Sequence, residues 1–282
     1  MNGKVNQNLK QIPAPAKTTS KTLVMISHHE LRDLALECVA TVKSSINIYS
    51  ITDFERKSSS SDYVTSLDRH IESETVQFIR KSRANDGILG EEGAAQSGTS
   101  GIRWIIDPID GTSNFVYGIP YFSISIAVEA EGDVVAGVVA DLSSNDIFDA
   151  VKGQGSRFNN EIIRVNDNDS LESAIVTTGF SYRPERRKVQ GGMLHHILPR
   201  IGDIRRFGSA ALDLCWLAAG RVDAFYEEGL NLWDYAAGSL IVSEAGGTVR
   251  TVNLTNDINL LTATNGRLDK EFQILVNNSL QH

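Results

Sequence analysis

Three acidic stretches carry the residue types that could act together. Asp107 and Asp110 lie in Trp104-Ile105-Ile106-Asp107-Pro108-Ile109-Asp110-Gly111-Thr112-Ser113-Asn114-Phe115. Glu91 and Glu92 follow Gly90, and Asp234 stands in Trp233-Asp234-Tyr235-Ala236-Ala237-Gly238. Carboxylates held close together repel unless cations neutralise them or one takes up a proton. Oxygen donors of this kind suit Mg²⁺, and a helix N-terminus beside them suits phosphate. The pattern reads as a metal-dependent phosphatase centre. Each piece also has a plainer reading: Asp-Pro and Asp-Gly are ordinary turn pairs, and an acid at a helix start can simply cap it.

The elements around these acids follow from local pattern. Residues 102–106, Ile-Arg-Trp-Ile-Ile, form a mainly apolar run rich in β-branched residues that predicts a buried strand, and Pro108, lacking an N–H, should end its pairing. Residues 110–113 then turn into a helix N-terminus. Asp68 falls in the first turn of a helix starting near Ser66, with Leu67, Ile71, Phe78 and Ile79 on its buried face. There it either complements the helix dipole or faces the acids and orients or deprotonates a water. Residues 88–90 read as a short strand, and alternation beyond it sends Glu91 and Glu92 opposite ways. Glu91 is assigned inward, with Glu92 behind it. Asp234 opens a helix whose small residues at 236–238 permit close packing, and Glu227 ends a strand where it could accept substrate hydroxyl hydrogens.

Elsewhere, Ser27-His28-His29-Glu30 is a capping box before a helix that puts Leu31, Leu34, Cys38 and Val42 on one face. His28 and His29 are not a metal pair, because adjacent helical residues point in different directions. A meander of strands runs from 122 to the Asn159-Asn160 turn. Strands and helices then alternate to Leu275, which predicts an α/β second half. The chain divides into a flexible basic tail (1–26), an N-terminal α+β subdomain carrying most metal ligands (27–165) and a C-terminal α/β subdomain completing the site (166–282).

With 282 residues the chain is long enough for a large core. A net charge of −8 argues against a nucleic-acid surface. It does not exclude a phosphate ester, because bound divalent cations reverse the local sign. Two cysteines without a Cys-x-x-Cys partner read as buried thiols in a reducing compartment. No apolar run reaches membrane-spanning length and the N-terminus lacks a signal-type apolar region, so a cytoplasmic protein without membrane contact is expected.

In order and spacing, the stretches at 90–92, 107–115 and 233–238 resemble the three signatures of the inositol monophosphatase family, with similarity from about residue 30 to 275. The resemblance implies a layered αβαβα sandwich of the sugar phosphatase type, combining α+β and α/β elements. It implies a homodimeric, lithium-sensitive phosphoric monoester hydrolase using two to three Mg²⁺ ions. On that basis Glu91, Asp107 and the Ile109 carbonyl would bind one ion, and Asp107, Asp110 and Asp234 a second. Glu91 with waters would hold a weaker third. Thr112 and Asp68 would hold the attacking water, and the Gly111 and Thr112 amides would receive phosphate. Asp110, Gly208, Ser209, Ala210, Glu227 and Asp234 would bind the rest of the substrate, and Lys57 would sit in a loop that closes the metal site. No Cys or His nucleophile is needed, so direct in-line attack by water is expected.

Three departures bear on the alcohol. Gly93 stands where many members have Ser, Asn231 where animal members have His, and Ser209 where Thr is common. Myo-inositol monophosphate is the leading substrate; fructose 1,6-bisphosphate, histidinol phosphate and nucleotide 3′-phosphates are the alternatives within the same chemistry. A regulatory binding protein built on the phosphatase fold is the alternative of another class.

Overall fold

The computed structural model describes residues 27–46, 54–56, 63–255 and 258–280. The first two helices begin where side chains satisfy the first backbone amides. The Ser27 N–H donates to Glu30 Oε2 at 2.7 Å and the Glu30 N–H to Ser27 Oγ at 3.2 Å, and α1 (His28–Ile46) follows. Leu31, Ala35, Cys38, Val39 and Val42 form its buried face. Thr65 caps α2 (Ser66–Ser82): its hydroxyl accepts from the Asp68 N–H at 3.2 Å, while Asp68 Oδ2 accepts from the Thr65 N–H at 2.8 Å.

Strands β1 (Phe54–Arg56) and β2 (Tyr63–Thr65) form a small antiparallel pair. The large sheet uses β3 (Gly87–Gly90), β4 (Ala95–Gln96), β5 (Ile102–Asp110), β6 (Ser123–Ala130), β7 (Asp133–Asp141), β8 (Ile147–Val151), β9 (Ser156–Phe158) and β10 (Glu161–Ile163). Its order is β10-β9-β8-β7-β6-β5-β3-β4, with β3 and β5 parallel. A second sheet follows, from β11 (Ile175–Thr178), β12 (Asp203–Arg205), β13 (Ala224–Glu228), β14 (Thr248–Thr255) and β15 (Ile258–Thr264), in the order β12-β11-β13-β15-β14.

The remaining helices are α3 (Thr112–Val116), α4 (Pro184–Ile197), α5 (Ala210–Ala218), α6 (Leu232–Glu244) and α7 (Asp269–Ser279), making seven among the described residues. Three apolar clusters define the layers. Helices α1 and α2 cover one face of the large sheet through residues such as Leu31, Ile71, Trp104, Ile106 and Ile126. Helices α5 and α6 fill the space between the sheets, joining Ile105, Ala127 and Val139 to Leu214, Ile241, Phe225 and Leu261. Helices α4 and α7 cover the far face of the second sheet through Met193, Ile197, Phe272 and Val276. The result is a five-layer αβαβα sandwich. Small residues make the central layer thin: a Cβ on Gly137 would lie 3.1 Å from Ala237 Cα, and one on Gly238 would lie 2.8 Å from Leu214 Cβ.

Two sequence expectations change. Pro108 does not end β5. Asp107 pairs with Ser125 and Asp110 with Ser123, so the longer strand carries one extra residue between these pairs. A bulge of this kind takes proline because its extra residue leaves the ladder. The second half is also not α/β throughout: β11, β12 and β13 are parallel, but β14 and β15 form an antiparallel hairpin with no helix between them. Among the described residues no helix is long and apolar enough to cross a membrane.

Candidate active site

The acids collect where the parallel strands β3 and β5 end. The Glu91 N–H donates to the Ile106 carbonyl at 3.2 Å, carrying the β3–β5 pairing one residue past β3 and setting Glu91 beside Asp107. Asp107, Ile109 and Asp110, on either side of the bulge, all border one cavity. Gly111, at φ 93°, caps α3 in the left-handed region that favours glycine. There Thr112 Oγ1 lies 2.9 Å from the Ile109 carbonyl and 3.1 Å from Asp68 Oδ1.

The C-terminal half closes the other side. Asp110 Oδ2 accepts from Ser209 Oγ and from the Ala211 N–H, both at 2.7 Å, locking β5 onto the start of α5. Asn114 Nδ2 donates to the Tyr121 and Phe207 carbonyls at 2.7 and 2.8 Å, which ties α3 to the segment before Gly208. Asn231 is the N-cap of α6, and its N–H donates to Asp234 Oδ2 at 2.6 Å, so Asp234 sits in the first turn with its carboxylate at the cavity. Glu227, near the end of β13, faces Gly179; a Cβ there would overlap its carboxylate.

The cavity encloses about 400 Å³. Of the residues singled out in the sequence, Glu91, Asp107, Ile109, Asp110, Gly111 and Thr112 border it from the first half, and Gly208, Ser209, Ala210, Glu227 and Asp234 from the second. Asp68 does not: it is fully buried behind Thr112 and meets the site through that hydroxyl. Lys57 lies outside the described residues. The Ser209 hydroxyl is taken up by Asp110 and by the Leu212 N–H at 3.3 Å, so it holds an acid in place.

Electrostatics mark this cavity as cation-seeking. Burial, then the charges of Glu91, Asp110 and Asp234, push the Asp107 carboxyl well above the usual range. Burial raises Asp110 to about 6, against the pull of the Ser209 and Ala211 hydrogen bonds. Burial and the Asp110 charge raise Asp234. Burial lifts Glu227 to about 8, with Arg206 opposing. Among the described residues no three acidic, imidazole or thiol groups already converge as a closed cation cage. The acids line one cavity instead, as mutual repulsion requires. Asp107 Oδ1 is buried without a hydrogen-bond partner, and the donor set is all oxygen, so these residues fit Mg²⁺.

Four positions escaped the sequence reading. Arg206 brings a cation to an otherwise acidic cavity; in the sequence it follows Arg205 at the end of a short strand, and nothing local distinguishes the two. Asp213 also borders the cavity, accepting from the Tyr121 hydroxyl at 2.9 Å; an acid inside Ala-Ala-Leu-Asp-Leu-Cys was a visible anomaly. Gly179 makes room for Glu227. Glu72, four residues after Asp68 on the buried face of α2, accepts from the Glu92 and Ala94 amides at 2.8 and 3.0 Å. An acid at that spacing among Leu67, Ile71, Thr75 and Ile79 was the signal that could have found it.

A family model described as the inositol monophosphatase family matches residues 28–280. The chain belongs to the inositol monophosphatase family. A Nus factor SuhB from Pasteurella multocida is 46% identical over 197 residues, covering 69% of this chain and 74% of its own length. An inositol-1-monophosphatase SuhB from Mycobacterium tuberculosis is 43% identical over 202 residues, covering 68% and 70%. Among solved structures, an IMPase from Thermotoga maritima superimposes with a TM-score of 0.81 at 36% identity, covering 89% of this chain and 98% of that one. The inositol monophosphatase family thus accounts for the order of the acidic stretches and for the five layers that bring them together.

Proposed function

We propose that this protein hydrolyses a phosphate monoester, foremost myo-inositol monophosphate, with two to three Mg²⁺ ions held by Glu91, Asp107, the Ile109 carbonyl, Asp110 and Asp234. One observation carries the reading: Asp107 has a buried oxygen with no donor from the protein, and three further carboxylates act on it across the same cavity. Bound there, Mg²⁺ would neutralise the acids and acidify a water.

The chain supplies the rest. Thr112 Oγ1, set between the Ile109 carbonyl and Asp68, orients the attacking water; it accepts the water's proton as its own hydroxyl proton passes to Asp68 Oδ1 behind it. The Gly111 and Thr112 amides receive the phosphate. Glu227, Asp110 and Asp234 accept hydrogens from the alcohol's hydroxyls, and a cavity of about 400 Å³ suits a small polyol phosphate. Neither thiol competes as nucleophile: Cys38 and Cys215 are buried away from the cavity, and burial pushes Cys38 to about 12. Water therefore attacks phosphorus directly, with no phosphoenzyme. Lithium sensitivity, a homodimer, a cytoplasmic location and a division near residue 166 belong to the same proposal.

The test is kcat/KM across inositol monophosphate, fructose 1,6-bisphosphate, histidinol phosphate and a nucleotide 3′-phosphate, with Mg²⁺ and with chelator. Inositol phosphate in last place rejects the substrate, and hydrolysis unchanged by chelator rejects the chemistry. The Nus factor name carried by a relative at 46% identity favours a second reading, a regulatory binding protein. An Asp107→Asn chain that loses hydrolysis yet keeps its cellular role would select it.

A further inference from the structure

The loop that delivers Glu91 to the cavity is wrapped around a carboxylate from another element. Gly90 N–H donates to the Ala94 carbonyl at 2.6 Å, closing residues 90–94 into a tight turn. Inside it sits the side chain of Glu72, 6% exposed, with Oε2 accepting the Glu92 N–H and Oε1 the Ala94 N–H. The fit leaves no space at Gly90, where a Cβ would lie 2.7 Å from Glu72 Cδ. One helix turn earlier, Asp68 supports Thr112. The buried face of α2 thus holds both halves of the site from behind, Asp68 the water-orienting hydroxyl and Glu72 the Glu91 loop.

We infer that Glu72 is a positioning residue for cation binding: its carboxylate fixes the 90–94 turn so that Glu91 is pre-set beside Asp107. The inference rests on the assignment of Glu91 as a Mg²⁺ ligand. A carboxylate accepting two amides cannot be replaced by an amide side chain without setting an N–H against an N–H, so Glu72→Gln keeps the volume and breaks half of the clamp. Gly90→Ala attacks it from the other side, because the added methyl displaces the Glu72 carboxylate while leaving its charge.

The experiment measures Mg²⁺ binding by titration calorimetry, with amide hydrogen exchange at Glu92 and Ala94. In Glu72→Gln and in Gly90→Ala, the expected result is an affinity lower by about 10- to 100-fold, the usual cost of removing a group that orients a ligand. Protection of at least one of the two amides should be lost in Glu72→Gln and of both in Gly90→Ala, and kcat should recover towards the parent value at saturating Mg²⁺. The double variant should be no weaker than the worse single one, because both act on one contact. Unchanged Mg²⁺ affinity in folded Glu72→Gln overturns the inference. So does failure of that isosteric variant to fold, which would make Glu72 a stability residue. If the parent protein binds no Mg²⁺ at all, the metal assignment fails instead, and the two failures are distinct.

Discussion

Asp86 and Asp107 are each 1% exposed, at the start and end of the same β3–β5 region, and their surroundings are opposite. Asp86 accepts from Arg83 Nε and Nη2 at 2.8 and 2.9 Å, from Ser100 Oγ at 2.6 Å and from Trp104 Nε1 at 2.9 Å. Burial alone would raise its carboxyl, but these donors outweigh it and hold the group below its ordinary value. Asp107, three residues beyond Trp104, has a buried oxygen without a donor and three carboxylates for neighbours, and is raised. A buried charge must be paired. At Asp86 the protein does the pairing. At Asp107 the protein leaves one oxygen without a donor, and the proposed function assigns its pairing to a cation.

The comparison can be broken most directly at Asp107. Asp107→Asn should lower kcat/KM by about 10³-fold or more, roughly 4 kcal/mol of transition-state stabilisation. Its metal-free melting temperature should be unchanged or higher, because a buried repulsion is removed. A metal-free protein that loses several degrees on this change would contradict the proposed role. Asp86→Asn should do the reverse: stability falls by about 3 kcal/mol in denaturant titration, as when one partner of a buried pair is lost. The kcat of the folded fraction should be preserved.

A finer contrast lies within the acid pair. Glu91→Gln should cost more in kcat/KM than Glu92→Gln, since Glu91 borders the cavity and Glu92 does not. The opposite order in steady-state kinetics would mean that the wrong strand face carries the ligand.

The smallest effect is in pH. Asp110 and Glu227, raised to about 6 and about 8, stabilise the metal-free fold most fully below their unfolded values. That contribution is lost as pH rises through about 4 to 8. Mg²⁺ competes with those protons, so the rise in melting temperature on adding Mg²⁺ should grow from pH 5 to pH 8. Calorimetry showing a flat or falling increment would mean that the cation does not bind among these acids.

Local chemistry was enough to read the cap at Ser27, the helix start near Ser66, the strand at 102–106, the turn at Gly111 and the small-residue face at 236–238. Each of these depends on residues within a turn or two of one another. The same holds for the three acidic stretches, whose residue types and spacing pointed to Mg²⁺ and phosphate before any fold was known. Tertiary structure decided what local pattern cannot carry. The fate of Pro108 depended on a bulge against β6, and the hairpin β14–β15 on pairing within the second sheet. Arg206, Asp213, Gly179 and Glu72 became visible only when strands and helices from distant stretches packed around one cavity. Asp86 and Asp107 are the same residue type and equally buried, and only the groups folded around each decide which one finds its donors within the protein and which keeps an oxygen without one.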